Sequence, residues 1–236
     1  MRLVTWNLHH GAPASGRVDL QAFATALRGW APDVVVLQEV DRLVPRSGSV
    51  DQAAWLGEQL GMDAHFARAM DVGGGEYGNA VLTCRPCGAP RVVALPHRRP
   101  REPRVAAVVQ VELDQGTVTV AGTHLQNGPR FEPKPTEAMR QLRSVLADLE
   151  AVDGPVVLAG DMNAERRQVC SILEPAGYAV AVTAPTFPAD RPRRTIDVVA
   201  ARGVAIGEVR VPVTTASDHR PIVVDLDLAG PGGSAL

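Results

Sequence analysis

The sequence has little cysteine and almost no lysine. Its 236 residues include three cysteines and one lysine, Lys134. Three cysteines do not suggest the disulfide framework of a small secreted domain, which agrees with a reducing compartment. Arginine is therefore almost the only source of permanent positive side-chain charge, and it clusters in HRRPREPR (97–104) and RPRR (191–194). Such clusters suit phosphate but are also common on solvated surfaces, so both interpretations stay open.

The sequence also lacks a long apolar run, and we expect no export signal. No run approaches the length of a membrane span, and MRLVTWNL at the start already has the pattern of a strand. The net charge of −2 gives no global case for binding a polyanion, so such an attraction would depend on local patches. We expect a cytoplasmic monomer without a membrane span.

Strand and helix patterns alternate along the chain. Two helical patterns cover 19–30 and 136–150, with Asp19 and Thr136 as caps. ELDQGTV predicts a hairpin turn between neighbouring strands. Eight apolar runs predict strands, at 2–8, 33–40, 79–84, 104–113, 117–125, 155–161, 195–201 and 221–228. These patterns predict one domain with two packed, mixed sheets flanked by helices.

The glycine-rich stretch GGGEYG (73–78) does not fit a nucleotide-binding phosphate loop. No lysine followed by serine or threonine comes after it. We expect a flexible loop on the substrate side. The tail, 229–236, is expected to be disordered.

Polar residues follow the predicted strands at their carboxyl ends, and two more precede the last strand. Each alone has a structural explanation, such as a turn former or a core histidine. Together, carboxylates and amide oxygens are the ligands that Mg²⁺ prefers, and histidines can transfer protons or contact phosphate. No dedicated serine or cysteine nucleophile accompanies them, which favours metal-assisted attack of water on phosphorus. The residues are Asn7, Glu39, His124, Asp161, Asn163, Asp218 and His219.

Seven motifs occur in the order seen in a known superfamily of phosphoesterases. They are TWNLHHG, LQEVD, YGNAVL, GTHL, GDMNA, TIDVV and SDHRPIVV. In this respect the chain resembles the endonuclease/exonuclease/phosphatase superfamily, over positions 5–224. The resemblance implies a four-layer α/β sandwich, with 1–228 as a single catalytic domain.

The resemblance also implies a metal site and a proton-transfer site. Glu39 would be the main Mg²⁺ ligand, with Mn²⁺ as a substitute, assisted by Asn7 and Asp218. Asp161 would orient or deprotonate the attacking water, and Asn163 would hold that water or a phosphate oxygen. One or two metals remain possible.

Two histidines would flank the phosphate. His219 would contact it, with Asp197 fixing its tautomer, and would take the proton of the water or stabilise charge. His124 would stabilise the transition state or assist the leaving oxygen. The base could be Asp161 or His219.

The resemblance also places Asn79, in YGNAVL, near the phosphate as a substrate-binding residue. Arg104, at the head of a strand, is a candidate to grip phosphate, with a surface arginine as the alternative. The roles of His9, His10 and Tyr77 stay open.

The function expected from this resemblance is Mg²⁺-dependent phosphodiester hydrolysis, with nucleic acid as the substrate and partner. One alternative is a phosphomonoesterase or a hydrolase of phosphoinositide or sphingomyelin-type head groups. Another is a non-catalytic phosphate- or protein-binding relative. The presence of every acid and histidine of the motif set speaks against the last.

Overall fold

The computed structural model describes residues 1–13, 16–128 and 136–228, without the side chain of Thr136. In this part of the chain, twelve strands form two six-stranded sheets. The first has the order β11-β12-β1-β2-β4-β3 and the second β5-β6-β7-β8-β10-β9. The strands are β1 Arg2–Asn7, β2 Val34–Arg42, β3 Asp63–Val72, β4 Gly75–Thr83, β5 Arg91–Ala94, β6 Val105–Leu113, β7 Gly116–His124, β8 Val156–Asp161, β9 Ala179–Val180, β10 Asp197–Arg202, β11 Ala205–Arg210 and β12 Ile222–Asp227.

Each sheet contains one parallel pair among antiparallel neighbours. These pairs are β1 with β2 and β7 with β8. The predicted mixed sheets are therefore confirmed. The predicted hairpin is present too, because β6 and β7 pair antiparallel from Leu113 opposite Gly116.

Four helices cover the outer faces of the two sheets. They are α1 Leu20–Trp30, α2 Gln52–Leu60, α3 Thr136–Glu150 and α4 Arg166–Leu173. Apolar residues of α1 and α2 pack on the first sheet, and those of α3 and α4 on the second. With the sheets between them, the helices make the predicted four-layer sandwich.

The largest apolar cluster lies between the two sheets. The period-two alternation of β1 turns Leu3 into it, whereas Val4 and Trp6 face α1 and α2. Gly122 marks a close approach of the sheets, because an added Cβ would lie 2.6 Å from Val36 Cγ1. This packing fixes the strand ends of one sheet relative to those of the other.

Some local predictions were confirmed and one was wrong. Asp19 caps α1 by accepting a hydrogen bond from the backbone N–H of Ala22 at 3.1 Å. GGGEYG is not a loop throughout, since Gly73 and Gly74 turn and β4 begins at Gly75. Pairing with β2 and β3 extends β4 back to the turn, where Glu76 lies opposite Arg42 and Gly75 opposite Val72. The capping side chain of Thr136 and the tail 229–236 lie outside the described residues.

Among the described helices, none combines the length and the apolar character that crossing a bilayer requires.

Candidate active site

The candidate active site lies at one edge of both sheets. Parallel strands β1 and β2 bring Asn7 and Glu39 to this edge, and parallel strands β7 and β8 bring His124 and Asp161. β10 runs antiparallel to β8, so its first residue, Asp197, lies opposite Asp161. β12 runs antiparallel to β1, so the loop before it carries Asp218 and His219 to the same edge. The strand directions alone thus gather side chains that are far apart in sequence.

Asp161 stands at the centre of this group and is almost fully buried. Its Oδ2 lies 3.2 Å from Asn7 Nδ2, 3.5 Å from His124 Nε2 and 3.7 Å from His219 Nε2. Its Oδ1 accepts a hydrogen bond from the backbone N–H of Asn163 at 2.8 Å. Burial raises the pKa of Asp161, against the opposing effect of His219.

His219 forms a buried dyad with Asp197. Its Nδ1 lies 3.0 Å from Asp197 Oδ2, and that oxygen also accepts a hydrogen bond from the Thr186 hydroxyl at 2.5 Å. Burial alone would lower the pKa of His219, but the carboxylates of Asp197 and Asp161 outweigh it and raise the pKa to about 10. The imidazole is therefore protonated near neutral pH and presents Nε2–H toward Asp161.

His124 has the opposite electrostatic environment. Arg104 Nη1 lies 3.1 Å from its Nδ1, and both side chains are buried. Burial first, and then the positive charges of Arg104 and His219, lower the pKa of His124. This histidine is therefore neutral, on the other side of Asp161 from the charged one.

Asn7 links Asp161 to Glu39 and, through Ser217, to the loop that carries Asp218. Its Nδ2 donates to Glu39 Oε1 at 3.0 Å, and its backbone carbonyl accepts from Ser217 Oγ at 2.7 Å. Ser217 precedes Asp218, whose Oδ1 lies 4.0 Å from His9 Nδ1. Glu39 and Asp218 are half-buried, unlike Asp161. The acids thus extend from a buried centre to a more open rim.

The family model of endonucleases, exonucleases and phosphatases matches residues 4–219 of this chain. The chain belongs to the endonuclease/exonuclease/phosphatase family. Members of this family hydrolyse phosphoester bonds as nucleases or phosphatases, and they generally depend on a divalent metal.

Individual curated relatives match parts of the chain at modest sequence identity. A UPF0294 protein of Erwinia tasmaniensis is 37% identical over 79 residues, covering 32% of this chain and 30% of that protein. The chain spans about a third to three fifths of the length of the first curated relatives it matches.

Two solved structures extend the comparison to the whole chain. An endonuclease/exonuclease/phosphatase from Beutenbergia cavernae has 29% identity and a TM-score of 0.79, covering 100% of this chain and 73% of its own. D. rerio TDP2 with a single strand DNA product has 18% identity and a TM-score of 0.75, covering 96% of this chain and 98% of its own, and so shows the shared fold alone.

Two sets of residues in this family member could be considered for a metal. The ligand atoms of Asp161, Asp197 and His219 lie within 4.8 Å of one another. The dyad of Asp197 with His219, whose Nδ1 lies 3.0 Å from Asp197 Oδ2, accounts for much of that proximity. Glu39, Asn7 and Asp218 fit a hard cation better, because they offer two half-buried carboxylates and a buried amide that contacts Glu39.

Strained backbone accompanies the site of this endonuclease/exonuclease/phosphatase protein. Glu39 has φ 55° and Asn163 has φ 48°, and His9 and His10 have φ 46° and 48°. At Glu39 the strain coincides with a shift of the β2–β4 register between Leu37 and Val40. Left-handed conformations are costly for residues other than glycine, and their concentration at this site is typical of functional sites.

Several supporting residues escaped the sequence analysis. Thr186 donates to Asp197, the ring of Phe187 lies 4.7 Å from that of His219, and Trp6 Nε1 donates to the His219 carbonyl at 2.9 Å. Ser217 belongs to the SDHRPIVV motif, whose serine could have been singled out as a turn former. The Thr186 and Phe187 contacts have no comparable sequence signal.

The two residues predicted to bind substrate have different surroundings. Asn79 Nδ2 donates to the Val105 carbonyl at 2.9 Å and so ties β4 to β6. Arg104 contacts His124 and also Glu102, whose Oε2 lies 3.0 Å from Nη2. The structure brings the other predicted site residues together, and the role of each residue stays a prediction.

Proposed function

We propose that the chain is a Mg²⁺-dependent phosphodiesterase that cleaves nucleic acid by direct attack of an activated water. The observation that carries this proposal is the position of Asp161, a buried carboxylate between two differently charged histidines and beside Asn7. A carboxylate with a raised pKa is well suited to accept a proton from water near neutral pH.

In this proposal Asp161 is the base and His219 is not. A histidine whose pKa is about 10 already carries its proton at neutral pH. It can donate a hydrogen bond to a phosphoryl oxygen and offset developing negative charge. Asp197 keeps its Nδ1 side occupied, so Nε2–H faces the reacting group. Asn163, held through its backbone on Asp161, is placed to orient the water.

Glu39, Asn7 and Asp218 would hold Mg²⁺ at the rim of the site. The bound cation would neutralise negative charge on the phosphate and on its leaving oxygen. Asn7 connects this set to Asp161, because its amide contacts both Glu39 and Asp161.

Arginines on the second sheet's side of the site support a nucleic-acid substrate. Arg98 and Arg99 are exposed and precede the buried Arg104, and Arg191 and Arg193 are exposed in the loop that carries Thr186 and Phe187. Exposed cations near a phosphoesterase site are what a polyphosphate backbone requires. TDP2 of D. rerio, which has the same fold, was solved with a single strand DNA product.

The test is a cleavage screen with single- and double-stranded DNA and RNA, in Mg²⁺, Mn²⁺ or EDTA. Asp161→Asn keeps the size of the side chain and is expected to lower the rate at least about 100-fold, the usual minimum contribution of a general base. Asp227→Asn, at an exposed acid of β12, is the matched control and should keep full activity.

Parallel assays with sugar phosphates, phosphoinositides and sphingomyelin separate the alternatives. Turnover of these compounds without cleavage of nucleic acid would replace the phosphodiesterase proposal with a phosphomonoesterase or head-group hydrolase. Metal and phosphate binding without any turnover would indicate a binding protein.

A further inference from the structure

The side chain of Arg104 approaches His124 from behind the candidate site. Its Nη1 lies 3.1 Å from His124 Nδ1, while His124 Nε2 faces Asp161 Oδ2 at 3.5 Å. The relative exposure of Arg104 is 7% and that of His124 is 3%, so water has little access to this contact. A hydrogen bond between the two side chains therefore has to be consistent with the protons that each can carry.

The proton count fixes the tautomer of His124. A guanidinium has only donors and keeps its charge at any pH of interest. His124 Nδ1 must therefore accept, and a neutral ring then carries its single proton on Nε2. A doubly protonated ring would place two donors face to face at Nδ1.

The proton on His124 Nε2 also limits how the Asn163 amide can hydrogen-bond. Its Nδ2 lies 2.9 Å from His124 Nε2 and 3.0 Å from the Leu125 carbonyl. With a proton on Nε2, the amide nitrogen cannot donate to the ring. It can donate to Leu125 while Nε2–H is directed at Asp161, or the amide can rotate and offer its oxygen. The half-buried Asn163 has this freedom, whereas the buried guanidinium has no acceptor to offer.

The guanidinium is itself held in place on other sides. Nη2 lies 3.0 Å from Glu102 Oε2, and the buried phenol of Tyr77 also interacts with Arg104. Tyr77 lies below the Arg46 guanidinium, 5.6 Å from the ring centroid. Arg104 is thus held by Tyr77 of strand β4 and by Glu102, two residues before it in the chain.

We infer that Arg104 is a positioning residue that holds His124 as a neutral imidazole with its proton on Nε2. In the proposed hydrolysis, on which this role rests, His124 donates a hydrogen bond to a phosphate oxygen and does not take a proton from water. The two histidines then have distinct roles that follow from their partners: a carboxylate keeps His219 charged, and an arginine keeps His124 neutral. Arg104 acts on the reaction through His124 rather than by gripping phosphate.

The tautomer can be measured without any turnover. In metal-free protein labelled with ¹⁵N at histidine, long-range ¹H–¹⁵N spectra distinguish a protonated Nε2 from a protonated Nδ1. The wild type and Arg104→Lys, which keeps a donor, should show His124 with Nε2 protonated. Arg104→Met removes the donor but keeps a side chain of similar length. In this variant the His124 ring should gain the Nδ1–H form or become doubly protonated at mildly acidic pH.

Kinetics on the best substrate of the screen give the second readout. Arg104→Met is expected to lower kcat about 10- to 100-fold, the range for a residue that orients a functional histidine, with little change in KM. Arg104→Lys should recover most of this loss. A raised KM with an unchanged His124 spectrum would overturn the inference and make Arg104 a phosphate ligand.

Other outcomes also decide the question. A wild-type His124 with its proton on Nδ1 would contradict the inference by itself. If Arg104→Met does not fold, the wild-type and Arg104→Lys spectra still test the tautomer. If no substrate is cleaved, the proposed function fails, while the spectra continue to report on the contact.

Discussion

The polar residues of the site are distinguished mainly by their partners. His124 and His219 are both buried, yet their pKa values shift in opposite directions, because Arg104 lies beside one and Asp197 beside the other. The sequence indicated the two histidines and the acids through their place beside strands. It predicted a hairpin between β6 and β7 but not the register of that pair, on which the contact of Arg104 with His124 depends.

Asp197→Asn should change the pKa of His219 and the pH dependence of the free energy of unfolding. The pKa of His219, about 10 in the metal-free protein, should fall toward its ordinary value near 6.5. A raised histidine pKa stabilises the fold fully below pH 6.5, and this contribution is lost as pH rises toward about 10.

The variant should therefore lose more stability at pH 6 than at pH 10. Loss of one partner of a buried pair typically costs about 3 to 5 kcal/mol, which is the expected size at pH 6. Histidine NMR titration and urea unfolding at both pH values measure the two effects, with Asp227→Asn as the control. An unchanged His219 titration would show that Asp197 does not set its charge.

Glu39 should be a residue at which function and stability oppose each other. Its φ of 55° suits glycine, so Glu39→Gly should be more stable than Glu39→Ala by about 1 kcal/mol, since left-handed conformation costs other residues about 1–2 kcal/mol. If Glu39 holds Mg²⁺ as proposed, Mg²⁺ should raise the melting temperature of the wild type but not that of either variant.

The exposed helical Glu58 offers a matched comparison. There the order should reverse, with glycine less stable than alanine by about 1 kcal/mol. Chemical denaturation of the four variants measures both differences. Equal stability of Glu39→Gly and Glu39→Ala would mean that the backbone at Glu39 is not strained.

At the scale of elements, the central strands were predictable and the peripheral ones were not. Strands such as β1, β2 and β8 are buried on both faces and form clear apolar runs. β3 (Asp63–Val72) and β11 (Ala205–Arg210) are edge strands with many half-buried or exposed residues, so their sequences lack such a run. The short helices α2 and α4 likewise received no prediction from periodicity.

The close approach of the sheets near Gly122 should be needed for both stability and activity. In Gly122→Ala the new Cβ would lie 2.6 Å from Val36 Cγ1. Overpacking of this kind costs about 1–3 kcal/mol. Val36 precedes Glu39 on one sheet and Gly122 precedes His124 on the other, so separation of the sheets should also lower kcat.

The double variant Val36→Ala/Gly122→Ala tests this explanation, because it removes the opposing methyl groups. It should be more stable than the sum of the two single changes predicts. Gly29→Ala is the control, since its Cβ would meet nothing within 4 Å and α1 should gain about 0.5–1 kcal/mol. If the losses in free energy of unfolding are additive in the double variant, contact with Val36 is not the cause of the Gly122→Ala effect.

At the scale of the whole molecule, the two sheets contribute different parts of the candidate site. The first supplies Asn7 and Glu39, with Asp218 in its connecting loop, and the second supplies His124, Asp161 and Asp197. The proposed metal set therefore belongs to one sheet and most of the proton-transferring groups to the other. Family membership gives the reaction class, hydrolysis of phosphoesters, but the substrate depends on the surface around the site.

The proposed nucleic-acid contacts predict how affinity depends on salt concentration. The net charge of the chain is only −2, so attraction to nucleic acid must come from local arginines. With the slow Asp161→Asn protein and single-stranded oligonucleotides, binding should weaken as salt rises. Replacement of exposed Arg98 or Arg193 by alanine should each reduce the slope of log K against log salt by about 0.7, the value for one contact to a single strand. The loss should be similar for all base sequences, because phosphate contacts do not read bases.

Arg28→Ala on α1, in the outer helical layer, is the control and should leave the slope unchanged. If Arg98→Ala and Arg193→Ala behave like Arg28→Ala, the arginine segments do not bind the backbone, and a small phosphoester becomes the better substrate class.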